Sequence, residues 1–235
     1  RHTRYPLVTG VQTCALPICS AVTPLIAIGC SAGGLPPLQE FLGAIPKHLH
    51  AAFLVVQHFP DGNESHLPEI LAHKVSLPIR MAKEGDMPEA GRILVIPPGS
   101  LFELQNGKLA LASPDTQTGP ALPFDTLLRS MARDYSEFSM AVVLSGSGTD
   151  GVVGARALND AGGMILVQRP ESAQFPGMPQ SVILSKVADL VADPETLARE
   201  AVRLAERPGI QATPPLATRR SEEHTSELQS RVDIS

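Results

Sequence analysis

The 235-residue chain carries a net charge of −5, with 43% hydrophobic residues, 4% aromatic residues and no tryptophan. This length allows one α/β domain or two small ones around an aliphatic core, and the acidic balance without a basic block gives no reason to expect nucleic-acid binding. No apolar run approaches the ~20 residues that span a membrane. The three cysteines form neither a disulfide framework nor a paired metal motif, and this balance favours a reduced, cytoplasmic setting.

Both ends of the chain look foreign to the rest. Residues 1–20 lack a helix or strand period, and they resemble translated sequencing-adapter sequence, as does the polar stretch 219–235. Segments of this kind are excluded from fold reasoning. We therefore predict a non-native tail at 1–20, one folded domain at 21–210, and a linker with a second non-native tail at 211–235.

Strand and helix signals alternate along the folded domain. The predicted strands are 25–29, 52–57, 79–83, 93–96, 140–144 and 164–168, and a hairpin pairs 101–104 with 108–111 around Asn106-Gly107. The predicted helices are 36–44, 64–73 (interrupted early by Pro68), 124–135, 152–161 and 194–206. This alternation predicts a doubly wound, mostly parallel α/β sheet flanked by helices, with a small β-hairpin excursion.

Ser31 follows the first apolar strand and lies within Gly29-Cys30-Ser31-Ala32-Gly33-Gly34. Glycines on both sides permit the sharp strand-to-helix turn that pushes a nucleophilic hydroxyl clear of the backbone. The backbone N–H groups near Ala32 and Gly33 are predicted oxyanion donors. Cys30 is interpreted as a small apolar packing residue and not as a thiol nucleophile.

Two further polar residues come just after predicted strands, His58 and Asp150. The carboxyl ends of parallel strands meet at one edge of a sheet, so these residues and Ser31 are expected to converge there. A serine hydroxyl needs a base, which predicts His58, and Asp150 would orient the imidazole. Taken alone, Asp150 also fits a turn aspartate, and a metal site using His58 and His66 lacks closely spaced ligands.

A competing motif overlaps this site. The spacing Gly146-x-Gly148-x-x-Gly151 follows a strand and opens a helix, with Glu171 located 20 residues further on, which meets the nominal dinucleotide-binding pattern. However, Glu171 follows a proline beyond the end of the next strand. A nucleotide-binding oxidoreductase is therefore a less favoured alternative, and we expect no cofactor and no metal.

With these residues identified, the chain resembles the catalytic domain of the CheB-type chemotaxis receptor methylesterases, over about residues 24–206. The resemblance rests on four segments in the same order, which are 28–34, Val56-Gln57-His58, 144–151 and 175–179. The variants at Ser31-Ala32-Gly33-Gly34 and 144–151 look closest to the form fused with a methyltransferase. The resemblance implies a doubly wound α/β fold, with Ser31 as nucleophile, His58 as base and Asp150 as the orienting acid.

The same resemblance implies a substrate and partners. These are glutamate γ-methyl esters on the cytoplasmic segments of methylated chemoreceptors, glutamines that undergo deamidation, and a fused or separate methyltransferase. It places Ser147 and Met178 near the oxyanion site, but the family usually has methionine at Ser147 and often arginine at Gln180. The difference at Ser147 leaves a non-catalytic signalling or binding module of the same fold as the alternative, and Gln180 is expected to change how an acidic receptor segment is held.

Overall fold

A seven-stranded parallel sheet organises the described part of this computed structural model, which comprises residues 23–58, 66–113 and 122–207. The strands in chain order are β1 Leu25–Cys30, β2 Ala52–Gln57, β3 Ile79–Met81, β4 Ile93–Val95, β5 Phe102–Gln105, β6 Lys108–Leu111, β7 Ser139–Val143, β8 Met164–Gln168 and β9 Leu190–Ala192. The sheet order is β3-β4-β2-β1-β7-β8-β9, with parallel pairing throughout. Strands β5 and β6 form a separate antiparallel hairpin.

Six helices cover the two faces of the sheet within the described residues. They are α1 Leu35–Gly43, α2 Leu67–Ala72, α3 Pro123–Asp134, α4 Val152–Asp160, α5 Gly177–Leu184 and α6 Pro194–Ala205. Alternate residues of β1 point to opposite faces, as the pleat requires. Ile26 and Ile28 pack in the core with α1, α2 and α6, whereas Leu25 and Ala27 pack in the core with α3, α4 and α5.

The predicted fold class is confirmed, including the hairpin excursion. Asn106 and Gly107 both have positive φ, 53° and 77°, as a tight two-residue hairpin turn requires. The predicted helix 64–73 differs, because α2 begins at Leu67 and Pro68 occupies its first turn instead of interrupting it. Glu64 lies outside the described residues, as do residues 1–20 and 211–235, so the predicted tails stay predictions.

Two elements were absent from the prediction, α5 and β9. Helix α5 contains Gly177 and Pro179 in its first turn and lacks a clear amphipathic period, while β9 is only three residues long. Such short elements are specified by packing more than by local pattern. Helix α5 packs behind the loop that follows β7, where Met178 lies against Gly146.

The centre of the sheet determines where a site can form. Strand β1 is central: β2 and then β4 lie on one side of it, and β7 and then β8 lie on the other. The strand order therefore reverses at β1, and ligands of doubly wound folds bind at the carboxyl ends of the strands beside such a reversal. Ser31 and His58 directly follow the carboxyl ends of β1 and β2.

Candidate active site

Ser31 occupies a tight turn between β1 and α1. The turn closes through the Gly34 N–H, which donates to the Ser31 carbonyl at 3.0 Å, and Gly33 has a φ of +64°. A Cβ at Gly33 would lie 2.6 Å from Oε1 of Gln174 and 2.9 Å from the Phe175 ring. Glycine is therefore required at position 33 both by its backbone angle and by the wall that packs against it.

The loop after β7 holds the nucleophile turn from the other side. The Ser31 N–H donates to the Ser145 carbonyl at 3.0 Å. A Cβ at Gly146 would lie 3.0 Å from the Ser31 Cβ and would overlap the Met178 sulfur. Met178 is 2% exposed, so it packs behind this loop as part of the core and does not face solvent.

His58 follows β2 with its backbone fixed and its side chain exposed. Its N–H donates to the Cys30 carbonyl at 3.0 Å, and its own carbonyl accepts a 3.3 Å hydrogen bond from the Ser31 hydroxyl. Within the described part of the chain, no hydrogen bond joins the imidazole to Ser31 or to Asp150. The structure thus brings Ser31 and His58 together through the histidine backbone and not through its ring.

Asp150 lies just before the start of α4, and its carboxylate is held by two backbone amides of α3. Oδ2 accepts from the Phe124 N–H at 3.1 Å, and Oδ1 accepts from the Asp125 N–H at 2.9 Å. Burial raises the pKa of Asp150, while these amide bonds and the charge of nearby His58 oppose the rise. The two amides thus fix the orientation of the Asp150 carboxylate at the start of α3.

A cleft of about 310 Å³ opens beside the serine. Its lining includes five of the seven residues predicted for the site, namely Ser31, Ala32, Gly33, His58 and Ser147. Asp150 and Met178 are not part of the lining. Leu35 and Pro36 contribute apolar surface at the start of α1, so the cleft combines a reactive hydroxyl with an apolar wall.

Three backbone amides around the cleft are free to bind a ligand. The N–H groups of Ala32, Gly33 and Ser147 have no hydrogen-bond partner among the described residues. Unpaired amides next to a candidate nucleophile are the arrangement that stabilises an oxyanion. Their position is compatible with the predicted oxyanion role of these three residues, which stays a prediction.

Sequence reasoning did not single out Gln57, Ser145 or Gln168. Gln57 lines the cleft, and its Oε1 is buried without a hydrogen-bond partner among the described residues. Ser145 is fully buried, and its N–H donates to Oε1 of Gln168 at 2.8 Å. The available signal was that each of these polar residues stands at the end of an apolar strand. This signal does not tell whether the side chain is buried and hydrogen-bonded or exposed to solvent.

The geometry bears on the alternatives to a serine nucleophile. Cys30 is 1% exposed, and burial raises the pKa of its thiol to about 12, so the reactive thiolate is suppressed. No group of three or more potential metal ligands occurs in the part of the chain that the structure describes. Two glycines of the 146–151 pattern have a packing role that requires no nucleotide. The Met178 side chain packs on Gly146, and the Phe124 ring packs on Gly151.

These features define a doubly wound α/β protein with a serine-centred cleft at the reversal of its strand order. Comparison with known proteins then identifies the family: residues 26–201 match the model of the CheB methylesterase family, and the chain belongs to that family. The resemblance inferred from the four sequence segments is confirmed.

Curated relatives and a solved structure agree with this assignment. The chain is 35% identical over 183 residues to protein-glutamate methylesterase/protein-glutamine glutaminase 3 of Geobacter sulfurreducens, covering 76% of this chain and 49% of the relative. A Moorella thermoacetica protein-glutamate methylesterase/protein-glutamine glutaminase is 33% identical, covering 77% and 44%. The crystal structure of the Thermotoga maritima CheB methylesterase catalytic domain matches with a TM-score of 0.69 and 29% identity, over 78% of this chain and 99% of that one. The chain spans about half the length of the curated relatives it matches.

Proposed function

We propose that this chain is a protein-glutamate methylesterase that hydrolyses glutamate γ-methyl esters on chemoreceptors and releases methanol. The observation that carries the proposal is the Ser31 turn, which opens into a cleft shared with His58 and with unpaired backbone amides. Membership of the CheB methylesterase family supports the same activity. Deamidation of receptor glutamines is part of the proposal, because the relatives are named as glutaminases too.

In the proposed mechanism, the Ser31 Oγ attacks the ester carbonyl while the His58 imidazole accepts the hydroxyl proton. The amides of Ala32, Gly33 and Ser147 would stabilise the negative oxygen of the tetrahedral intermediate, each donor contributing about 3 kcal/mol. Methanol leaves with the proton from His58. Water, deprotonated by the same imidazole, then releases the glutamate carboxylate and restores the Ser31 hydroxyl.

The mechanism requires one rearrangement at the nucleophile. In the structure, the Ser31 hydroxyl donates to the His58 carbonyl, so it must exchange this 3.3 Å bond for one to the imidazole before attack. The exposed ring of His58 has room to move, and catalytic hydrogen bonds often tighten only when substrate binds. Asp150 would favour the reactive arrangement, because its charge stabilises the imidazolium that forms.

The proposed partners are the cytoplasmic segments of methylated chemoreceptors, together with a methyltransferase that is fused or separate, in the cytoplasm. The family assignment supports the receptor as substrate. No helix in the described ranges has the length and apolar character needed to cross a membrane.

The decisive experiment measures methanol release from methylated receptor membranes by the full chain and by its Ser31→Ala variant. Ser185→Ala is a matched control, because its hydroxyl donates to a backbone carbonyl on α5 and does not line the cleft. We expect release by the wild type and the control, and none by Ser31→Ala. Labelling with a fluorophosphonate should follow the same pattern, since that reagent reacts with activated serines.

A non-catalytic binding module is the second candidate, favoured by the Ser31 hydroxyl being bonded to a backbone carbonyl and not to the imidazole. Ser147 in place of the methionine usual in the family supports the same candidate. A folded wild-type chain that neither releases methanol nor accepts the label would overturn the esterase proposal and favour this alternative.

A further inference from the structure

We propose that Ser145 is a positioning residue that holds the oxyanion-binding backbone in place, a role that rests on the proposed esterase function. Ser145 is fully buried directly after β7 and does not line the cleft. Its hydroxyl lies between the two segments that flank the nucleophile, 3.0 Å from the Ala32 carbonyl and 3.0 Å from the Phe175 nitrogen. One side chain thus links the nucleophile turn to the segment before α5.

The donors and acceptors around this hydroxyl determine which bonds it forms. A serine hydroxyl has one proton to donate and lone pairs to accept with. Its proton goes to the Ala32 carbonyl at 3.0 Å, because the Phe175 carbonyl is more distant at 3.4 Å and already accepts from the Gly146 N–H at 2.9 Å. The hydroxyl oxygen accepts from the Phe175 N–H. Both bonds are partly buried, and both depend on the hydroxyl oxygen.

The bond to Ala32 has a consequence for the oxyanion site. In a trans peptide the carbonyl and the following N–H point in opposite directions, and the described residues contain no cis peptide. Because the Ala32 carbonyl is directed at Ser145, the Gly33 N–H is directed away from it. That N–H has no partner among the described residues, and Gly33 lines the cleft. The Ser145 hydroxyl therefore sets the plane of the peptide that presents this donor.

The backbone of Ser145 is itself held on both sides. Its carbonyl accepts the Ser31 N–H at 3.0 Å, and its N–H donates to Gln168 at the end of β8. The Gln168 amide nitrogen in turn donates to the Ser172 carbonyl at 3.1 Å. These backbone contacts survive removal of the hydroxyl, so a substitution at Ser145 is expected to loosen the Ala32 peptide without releasing Ser31.

The test compares Ser145→Ala and Ser145→Cys with the wild-type full chain. Alanine removes the hydroxyl, and cysteine keeps the shape of the side chain, with a somewhat larger atom, but replaces a strong hydrogen-bonding group with a weak one. We expect both variants to lower kcat for methanol release about 10- to 100-fold with little change in KM, as misplacement of a preorganised donor does. The rate of fluorophosphonate labelling of Ser31 should fall in parallel.

Ser130→Ala is the matched control. The Ser130 hydroxyl also donates to a buried carbonyl, that of Leu127 at 2.6 Å, and accepts a backbone N–H, that of Leu104 at 2.9 Å, but it lies between α3 and the hairpin. We expect Ser130→Ala to lower stability and to leave kcat near the wild-type value.

Three outcomes would overturn the proposal. The first is a wild-type kcat and labelling rate in Ser145→Cys, which would mean that the space filled by the side chain matters and its hydrogen bonds do not. The second is an equal loss of kcat in Ser130→Ala, which would indicate general destabilisation. Both leave the esterase function intact. The third is a wild-type chain that neither releases methanol nor accepts the label, which would overturn the esterase function together with this role of Ser145.

Discussion

Asp125 and Asp150 cap each other's helices. Asp150, just before α4, accepts the Phe124 and Asp125 N–H groups of the first turn of α3, at 3.1 and 2.9 Å. Asp125, in the first turn of α3, accepts the Gly154 N–H of α4 at 2.6 Å. Each carboxylate thus satisfies amides that a helix start leaves unpaired, and the negative charges lie at the positive ends of the helix dipoles.

This reciprocal capping fixes the acid proposed to orient His58. The Phe124 ring packs where Gly29 and Gly151 lack a side chain, which locks the start of α3 against β1 and the loop before α4. Asp150 is therefore held by a rigid frame. The arrangement places the charge of Asp150 near the buried Asp125 carboxyl, and that charge raises the pKa of Asp125.

We predict that Asp150→Ala impairs both stability and activity. Two amides at the start of α3 would lose their acceptor, which should lower the free energy of unfolding by about 1–2 kcal/mol. If Asp150 orients the imidazole, kcat should fall by about 10⁴. Urea unfolding and methanol release measure the two effects. Asp193→Ala is the control, since Asp193 precedes α6 without a side-chain capping bond and should change neither by much.

Asp125 should make stability depend on pH. Burial raises the pKa of Asp125 above its ordinary value of 3.8, the Gly154 amide opposes the rise, and the charge of Asp150 adds to it. Below the ordinary value the carboxyl is neutral in both folded and unfolded states. As pH rises through the folded-state pKa, the buried group must ionise, so stability is lost.

Asp125→Asn removes that titration while keeping an oxygen for the Gly154 N–H. The free energy of unfolding of the variant, minus that of the wild type, should therefore increase as pH rises from below 3.8 and then level off. Urea titrations at a series of pH values give this difference directly. A difference that stays constant across the series would contradict the prediction.

Gly146 should tolerate no side chain. The Cβ of Gly146→Ala would overlap the Met178 sulfur and lie 3.0 Å from the Ser31 Cβ, so we expect a loss of about 1–3 kcal/mol in unfolding free energy and displacement of the nucleophile. Gly148→Ala is the comparison, since a Cβ there meets nothing within 4 Å although φ is +94°. We expect Gly148→Ala to cost about 1–3 kcal/mol in backbone strain, and to reduce methanol release less than Gly146→Ala does.

The cause of the Gly146→Ala defect can be separated by a second substitution. Adding Met178→Ala removes the overlapping thioether, so the double variant should lose less stability than the sum of the two single variants. Residues in contact commonly show such coupling, of about 0.5–3 kcal/mol. Strictly additive losses would show that the Met178 contact is not the cause.

Cys30 should be inert to alkylation in the native protein. Burial raises the pKa of its thiol to about 12, so at about pH 8 very little thiolate exists, and the sulfur lacks access to solvent. Iodoacetamide should modify Cys30 only after unfolding in guanidinium, and peptide mass spectrometry distinguishes it from Cys14 and Cys19. Modification of the native protein at the unfolded rate would refute this interpretation.

Local patterns predicted most of the elements because their signals lie within a few residues. The apolar run at 25–29 is covered on both faces of the sheet, and Asn106-Gly107 alone supplies the positive φ angles of the hairpin turn. Helix α5 and strand β9 lack such signals, because their stability comes from neighbours distant in sequence. Pro68 shows a different limit of local patterns. A proline in the first turn of a helix and a proline that breaks a helix look alike in the sequence until the start of the helix is known.

The sequence by itself determined the residue types of the site and the strand ends at which Ser31, His58 and Asp150 stand. Only the tertiary structure decided how they are held. The mutual capping of α3 and α4, the bond from Ser31 to the His58 carbonyl and the role of Ser145 all join residues at least 25 positions apart. A periodic pattern reports which face of an element is buried, whereas a hydrogen bond between distant segments depends on how the whole sheet brings them together.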